Sequence, residues 1–303
     1  MDYKKIDEIV KECLEYDIYT DVVDEFFNDV VPLCKKIISE EKIIILSQDF
    51  STDYSLNDKL KLISNFFKVI DTDLYNQFET IISSVDENGK PLINFVYNDD
   101  IGSSKNDYKT SKVYINLANN LQDLFVIIHE IIHYMNHYII EIEEDNKIDF
   151  DISHFKYLYE ESAPIIAEKL FGHWLIKEGY ITENDFKKVE SRRINSTINI
   201  AWFLVIESEY ARLKQKGIEI TKESLEKRMK ELGDDPITQM ILSKEIKDGR
   251  IGKSIIESKM LKFPKMQKYI LAYEKQKKYK LDKNSIEEFL ELNKDLSNPN
   301  IKK

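Results

Sequence analysis

Cysteine is nearly absent from this 303-residue chain: only Cys13 and Cys34 occur. Two thiols cannot build a disulfide framework, so the fold must rest on its core, and a reducing, cytoplasmic setting is expected. Glycine and proline are scarce too, eight and six in all. That leaves little punctuation between elements and favours helix over sheet. No apolar run approaches a membrane span; Lys42–Ser47 is far short of the roughly 20 residues needed. The start, Met1–Glu8, reads as an amphipathic helix and not as a signal peptide. Basic charge is in deficit, with 44 Lys and Arg against 55 Asp and Glu, a net charge of −11. Nucleic acid and anionic membranes are therefore not expected as partners, because binding them depends on Lys and Arg.

Histidine is sparse as well, five in the chain, which gives weight to His129 and His133. With Glu130 they form H-E-x-x-H inside the apolar, helix-compatible run Asp123–Met135. At this histidine frequency a chance occurrence in the chain has odds of roughly one in a hundred. On a helix, residues four apart share a face, so both imidazoles address one metal ion. Glu130 reaches the same space from the side, placed to take a proton from an activated water. The pattern predicts one Zn2+ ion and peptide-bond hydrolysis with Glu130 as general base.

A catalytic zinc keeps three protein ligands and one open position. His137 extends the stripe of His129 and His133, but lies about 12 Å from His129 along a helix axis. One ion with bonds of about 2 Å cannot reach both ends, so His137 is expected to face substrate, support the ligands or pack. Asn136 and Ile139 rule out the metzincin extension, which needs Gly and His there. The helix-like stretch from His154 to Phe171 offers carboxylates instead. Glu161 and Glu168 are two turns apart and share a mixed face with Leu158 and Ile165. A carboxylate there is costly to bury unless paired or metal-bound. Glu161 is therefore expected as the third ligand. Glu160 takes its place if the helix phase is off by one. Glu168 is expected to support a ligand histidine from behind. Pro164 marks a kink or a helix first turn.

Around the motif the chain reads as mainly α with a small β-sheet, an α+β class. Helices are expected over Tyr3–Tyr16, Thr20–Glu40, Ser55–Val69 and Asp71–Ser84, with Ser55 opening a capping box. Leu92–Tyr97 and Lys112–Leu117 read as strands, separated by a polar loop. Asn119 and Asn120 can cap the motif's helix. Lys112–Leu117 is a candidate for the strand edge, or its neighbour, along which a peptide backbone would pair; it fits an ordinary core strand nearly as well. Further on, helices open at Thr182 and Thr221. Trp174 with Phe171 and Leu175, and Trp202 with Leu204, are expected in the core. The chain divides into a helical region over 1–88 and a region over 89–303 holding the site and added helices, with one continuous domain as the alternative.

With the H-E-x-x-H helix and Glu161-Ser162-Ala163-Pro164-Ile165-Ile166-Ala167-Glu168, the chain resembles the gluzincins, and within them the thimet-oligopeptidase and oligopeptidase F family. That family carries a glutamate ligand on the helix after the metal helix, small residues or proline behind it, and a second glutamate seven positions on. The resemblance covers residues 110–175 or so of this sequence. It implies a zincin-like catalytic core and hydrolysis of short or unfolded peptides. It also implies an oxyanion donor near the C-terminus, which the family draws from a tyrosine and a histidine. No histidine follows His173, so the role falls to a tyrosine, with Tyr210, Tyr269 and Tyr273 as candidates. The chain departs from the family in being much shorter and in carrying Ile132 where members have glycine. Neurotoxin light chains carry a similar helix and downstream glutamate, which makes an endopeptidase aimed at one protein the second expectation. A non-catalytic zincin-fold binding protein is the third, and Glu130 speaks against it.

Overall fold

The computed structural model describes residues 26–44, 54–97, 104–107, 112–136, 159–215, 227 and 262–297. Among them the fold is mainly helical with one small sheet, the class expected from composition. A short π-helical turn, Phe26–Val30, runs into α1 (Val31–Glu40). Then come α2 (Leu56–Ile70), α3 (Thr72–Ser83), β1 (Ile93–Val96), β2 (Ser104–Asp107) and β3 (Lys112–Asn116). The helices α4 (Gln122–Met135), α5 (Ser162–Lys177), α6 (Glu183–Gln215), α7 (Lys262–Gln276) and α8 (Lys283–Ser297) complete the order. The expected helix Tyr3–Tyr16 and the start at Thr221 lie outside the described residues.

Local chemistry explains where these helices begin. Ser55 opens α2 through a reciprocal box: its hydroxyl accepts from the Asp58 N–H at 3.2 Å and the Asp58 carboxylate accepts from the Ser55 N–H at 3.0 Å. Asp71 caps α3 by accepting from the Leu74 N–H at 2.9 Å. Thr182 and Asp185 repeat the reciprocal box before α6, both backbone bonds at 3.1 Å. Pro164 sits in the first turn of α5, where its missing N–H has no intrahelical partner to lose. It therefore stands in a helix first turn, one of the two places expected of it.

The sheet differs from the expected pair of strands separated by a loop. Its order is β1-β3-β2, with β1 parallel and β2 antiparallel to β3. β2 arises inside the expected polar loop, pairing Ser104 with Ile115 and Asp107 with Lys112. β3 is the central strand, so it neighbours the edges and is not itself an edge.

The chain forms two compact units built from interleaved segments: Met1–Ile45, Glu144–Asn146 and Glu190–Leu271 in one, Leu46–Glu143, Lys147–Val189 and Ala272–Lys303 in the other. The helical region expected over 1–88 is thus shared between the units, parting after Ile45. In the first unit, Val31, Cys34 and Ile37 of α1 and Ile198, Trp202 and Leu204 of α6 are buried. Asn195 there grips the extended backbone of Ile44 from both sides, accepting from its N–H at 2.9 Å and donating to its carbonyl at 2.8 Å.

The second unit carries one continuous core. Its centre is α4, which packs against α5, α2, α3 and β3. Leu124, Phe125, Ile127, Ile128, Ile131 and Ile132 are all fully buried, so apolar packing encloses α4 on every side but the one that carries its histidines. Phe171 and Trp174 of α5 stack at 6.0 Å and meet Phe66 of α2 at 5.0 and 5.8 Å. Gly172 matters to this packing. A Cβ placed on it would lie 2.0 Å from the Phe186 ring, which stacks on Phe125 of α4 at 5.8 Å.

Candidate metal centre

The helix that carries the motif is set at its start. Asn119 takes a left-handed backbone with φ 56°, a conformation asparagine tolerates. Asn120 then accepts from the Gln122 N–H at 2.8 Å, from one residue before the N-cap Leu121, which itself makes no side-chain cap bond. Asp123 answers by accepting from the Asn120 N–H at 3.1 Å and from the Ala118 N–H at 2.8 Å. With its start fixed, α4 presents His129 and His133 from one face towards α5.

Three donor atoms meet there. His129 Nε2 lies 3.1 Å from His133 Nε2. Glu161 Oε2 lies 3.3 Å from the first nitrogen and 3.5 Å from the second. A tetrahedral ion with bonds of about 2.1 Å holds its donors about 3.4 Å apart, so all three edges fit. Two ring nitrogens facing each other at this range are favourable only with a proton or a cation between them. His129, His133 and Glu161 therefore form a group that can hold a metal ion.

Glu161 comes from the residue just before α5, and Glu168 from two turns further on. Glu168 Oε1 lies 2.8 Å from His129 Nδ1. A carboxylate is an acceptor, so Nδ1 carries the proton and Nε2 is left for the metal side. Burial pulls the His129 pKa down, but hydrogen bonds first to Glu161 and then to Glu168 prevail and push it up to about 10. With no metal ion the two carboxylates thus favour a second proton on this ring, at Nε2, in the place a cation would take. Access is limited but real: the side chains of His129 and His133 are 19% and 17% exposed, while that of Glu161 is 5% exposed.

Glu130, the expected base, is buried on the same helix at 8% exposure. Among the described residues no hydrogen bond or ion pair engages its carboxylate. Its carboxylate oxygens are not among the fully enclosed unpartnered atoms of the described residues, so they keep some access to water. Glu160 is also buried but lies outside the three-residue group; the helix phase favours Glu161. His137 lies outside the described residues, and so does the side chain of Tyr210. Tyr273 is buried in the unit that holds the group, with the Lys277 ammonium 4.9 Å from its ring centre. Tyr269 is exposed in the other unit, under Lys268 at 5.2 Å.

One pair escaped the sequence reading: Lys59 of α2, bonded to Asp123 at 2.7 Å. Its signals were present. Asn120 and Asp123 have capping-box spacing, and Lys59 interrupts the buried stripe of α2 between Leu56 and Ile63.

Comparison with known proteins returned no match: no family model, curated protein or solved structure matches this chain.

Proposed function

We propose that this protein is a zinc-dependent peptidase with a zincin-like catalytic core, acting on short or unfolded peptides. The observation that carries the reading is the convergence of His129, His133 and Glu161 with donor separations of 3.1, 3.3 and 3.5 Å. Two imidazoles and one carboxylate form a donor set that catalytic zinc uses, with a fourth position open. A zinc ion bound there would lower the pKa of water and polarise a carbonyl.

The chain's own residues supply the rest. Glu168 holds the Nδ1 proton of His129, which fixes the tautomer that presents Nε2. Glu130 accepts a proton from the attacking water and returns it to the leaving amine. A tyrosine would stabilise the developing oxyanion, with Tyr273 the candidate that shares a unit with the group. Among the described residues no helix is long and apolar enough to cross a membrane. The acidic net charge suits neutral or basic peptides better than nucleic acid. A reducing compartment such as the cytoplasm belongs to the same reading.

Metal analysis with a peptide-library digest tests it. One zinc per chain and broad cleavage of short peptides are expected. Glu130→Gln should keep its zinc and lose hydrolysis. Cleavage of a single protein and no short peptide would favour the sequence-selective alternative. Zinc binding with no hydrolysis of any substrate would favour a binding protein, and retained activity in Glu130→Gln would overturn the mechanism.

A further inference from the structure

Lys59 and Asp123 form an ion pair with almost no access to water: their side chains are 1% and 2% exposed. Such a pair seldom stabilises a fold relative to apolar packing, because desolvation offsets the attraction. Lys59 is especially poorly provided for. Its ammonium has three donors, yet Asp123 is its one hydrogen-bond partner among the described residues. The best-attested use of a buried charge pair is to select one packing register over its neighbours.

The register in question is that of the metal helix. The Asp123 carboxylate joins three elements: Lys59 of α2, the Ala118 N–H after β3, and the Asn120 N–H that opens α4. It fixes the chain where strand becomes helix, six residues before His129. Six residues of α-helix span about 9 Å and act as a rigid rod. A shift at Asp123 therefore reaches His129 and His133 almost undiminished. Glu161 is carried by α5 and would not follow. Donor separations of 3.1 to 3.5 Å leave no room for an ångström of slip.

We propose that the Lys59–Asp123 pair is a positioning device for the metal centre, setting the register of α4 so that zinc affinity depends on it. This rests on the zinc reading above. The two can fail separately.

The test is zinc affinity, by competition with a chelator, at a temperature where circular dichroism shows each variant folded. Lys59→Met removes the ammonium and keeps the apolar stem. It should weaken zinc binding about tenfold or more, as loss of outer support does at other metal sites. Leu292→Ala in α8, a core truncation outside the pair, is the stability control and should leave affinity near wild type. The double variant Lys59→Met/Asp123→Asn removes the stranded charge. It should regain thermal stability over Lys59→Met without regaining zinc affinity, and it carries the test alone if Lys59→Met does not fold. Wild-type affinity in the variants, or affinity that follows the melting temperature across all of them, overturns the proposal. A wild-type protein that binds no zinc overturns the metal reading instead.

Discussion

Glu168 sits 2.8 Å from Nδ1 of His129 while Nε2 of the same ring faces Glu161 and His133. The carboxylate thereby decides which nitrogen is available to a metal. Glu168→Ala should weaken zinc affinity about 10- to 100-fold. Glu168→Gln should lose less, since an amide oxygen can still accept from Nδ1. Chelator competition on the two variants measures both, and equal affinity in Glu168→Ala and wild type would show that the tautomer is set by something else.

The neighbouring carboxylates Glu160 and Glu161 give a second, discriminating pair. Both are buried, but only Glu161 belongs to the group with the two histidines. Glu161→Ala should abolish stoichiometric zinc, a loss beyond the roughly 100-fold upper range for outer partners. Glu160→Ala should retain zinc. Metal content by atomic spectroscopy after dialysis settles the order; the reverse result would mean that the start of α5 is turned by one residue in the loaded protein.

Features announced by spacing along one helix were legible in the sequence, and pairings between elements that carry no such spacing were not. His129, Glu130 and His133 declare themselves by four-residue spacing, and Glu161 and Glu168 by seven. Ser55 and Thr182 were recognisable as caps because a cap is a local bond. β2 was not legible: Ser104-Lys105-Asn106-Asp107 has little strand propensity and is held by its pairing with β3. Lys59 and Asp123 lie 64 residues apart, so each stood out on its own element but nothing local could join them. The interleaving of the two units hides for the same reason.

Gly172 tests the packing behind the metal helix. An alanine Cβ would come within 2.0, 2.4 and 2.6 Å of three atoms of the Phe186 ring. That ring is confined: Phe125 stacks on it at 5.8 Å, His173 meets it edge-on at 5.4 Å, and the Lys169 ammonium lies 5.6 Å from its centre. Gly172→Ala should cost about 1–3 kcal/mol of stability by overpacking. Phe186→Leu should offset part of that loss in the double variant, so the two changes are non-additive. Urea denaturation of the four-member cycle measures it, and strict additivity would show that α5 moves away instead of pressing on Phe186.

Acid should loosen the turn that leads into β1. Asp86 lies 2.6 Å from the Lys112 ammonium of β3 and accepts from the backbone N–H groups of Asn88 and Lys90, each at 2.9 Å. Lys112 first, and then the Lys90 N–H, hold its carboxyl down at about 2, against an ordinary value of 3.8. The folded-state value is the lower one, so ionisation is linked to folding. The contribution is complete above the unfolded value and is lost as pH falls from there towards the folded one. Asp86→Asn should therefore lower the urea midpoint at about pH 6, and the gap to wild type should narrow at about pH 2.5. A gap of constant size across that range would mean that the backbone hydrogen bonds, which asparagine can partly keep, hold this turn and that the charge on Asp86 contributes nothing.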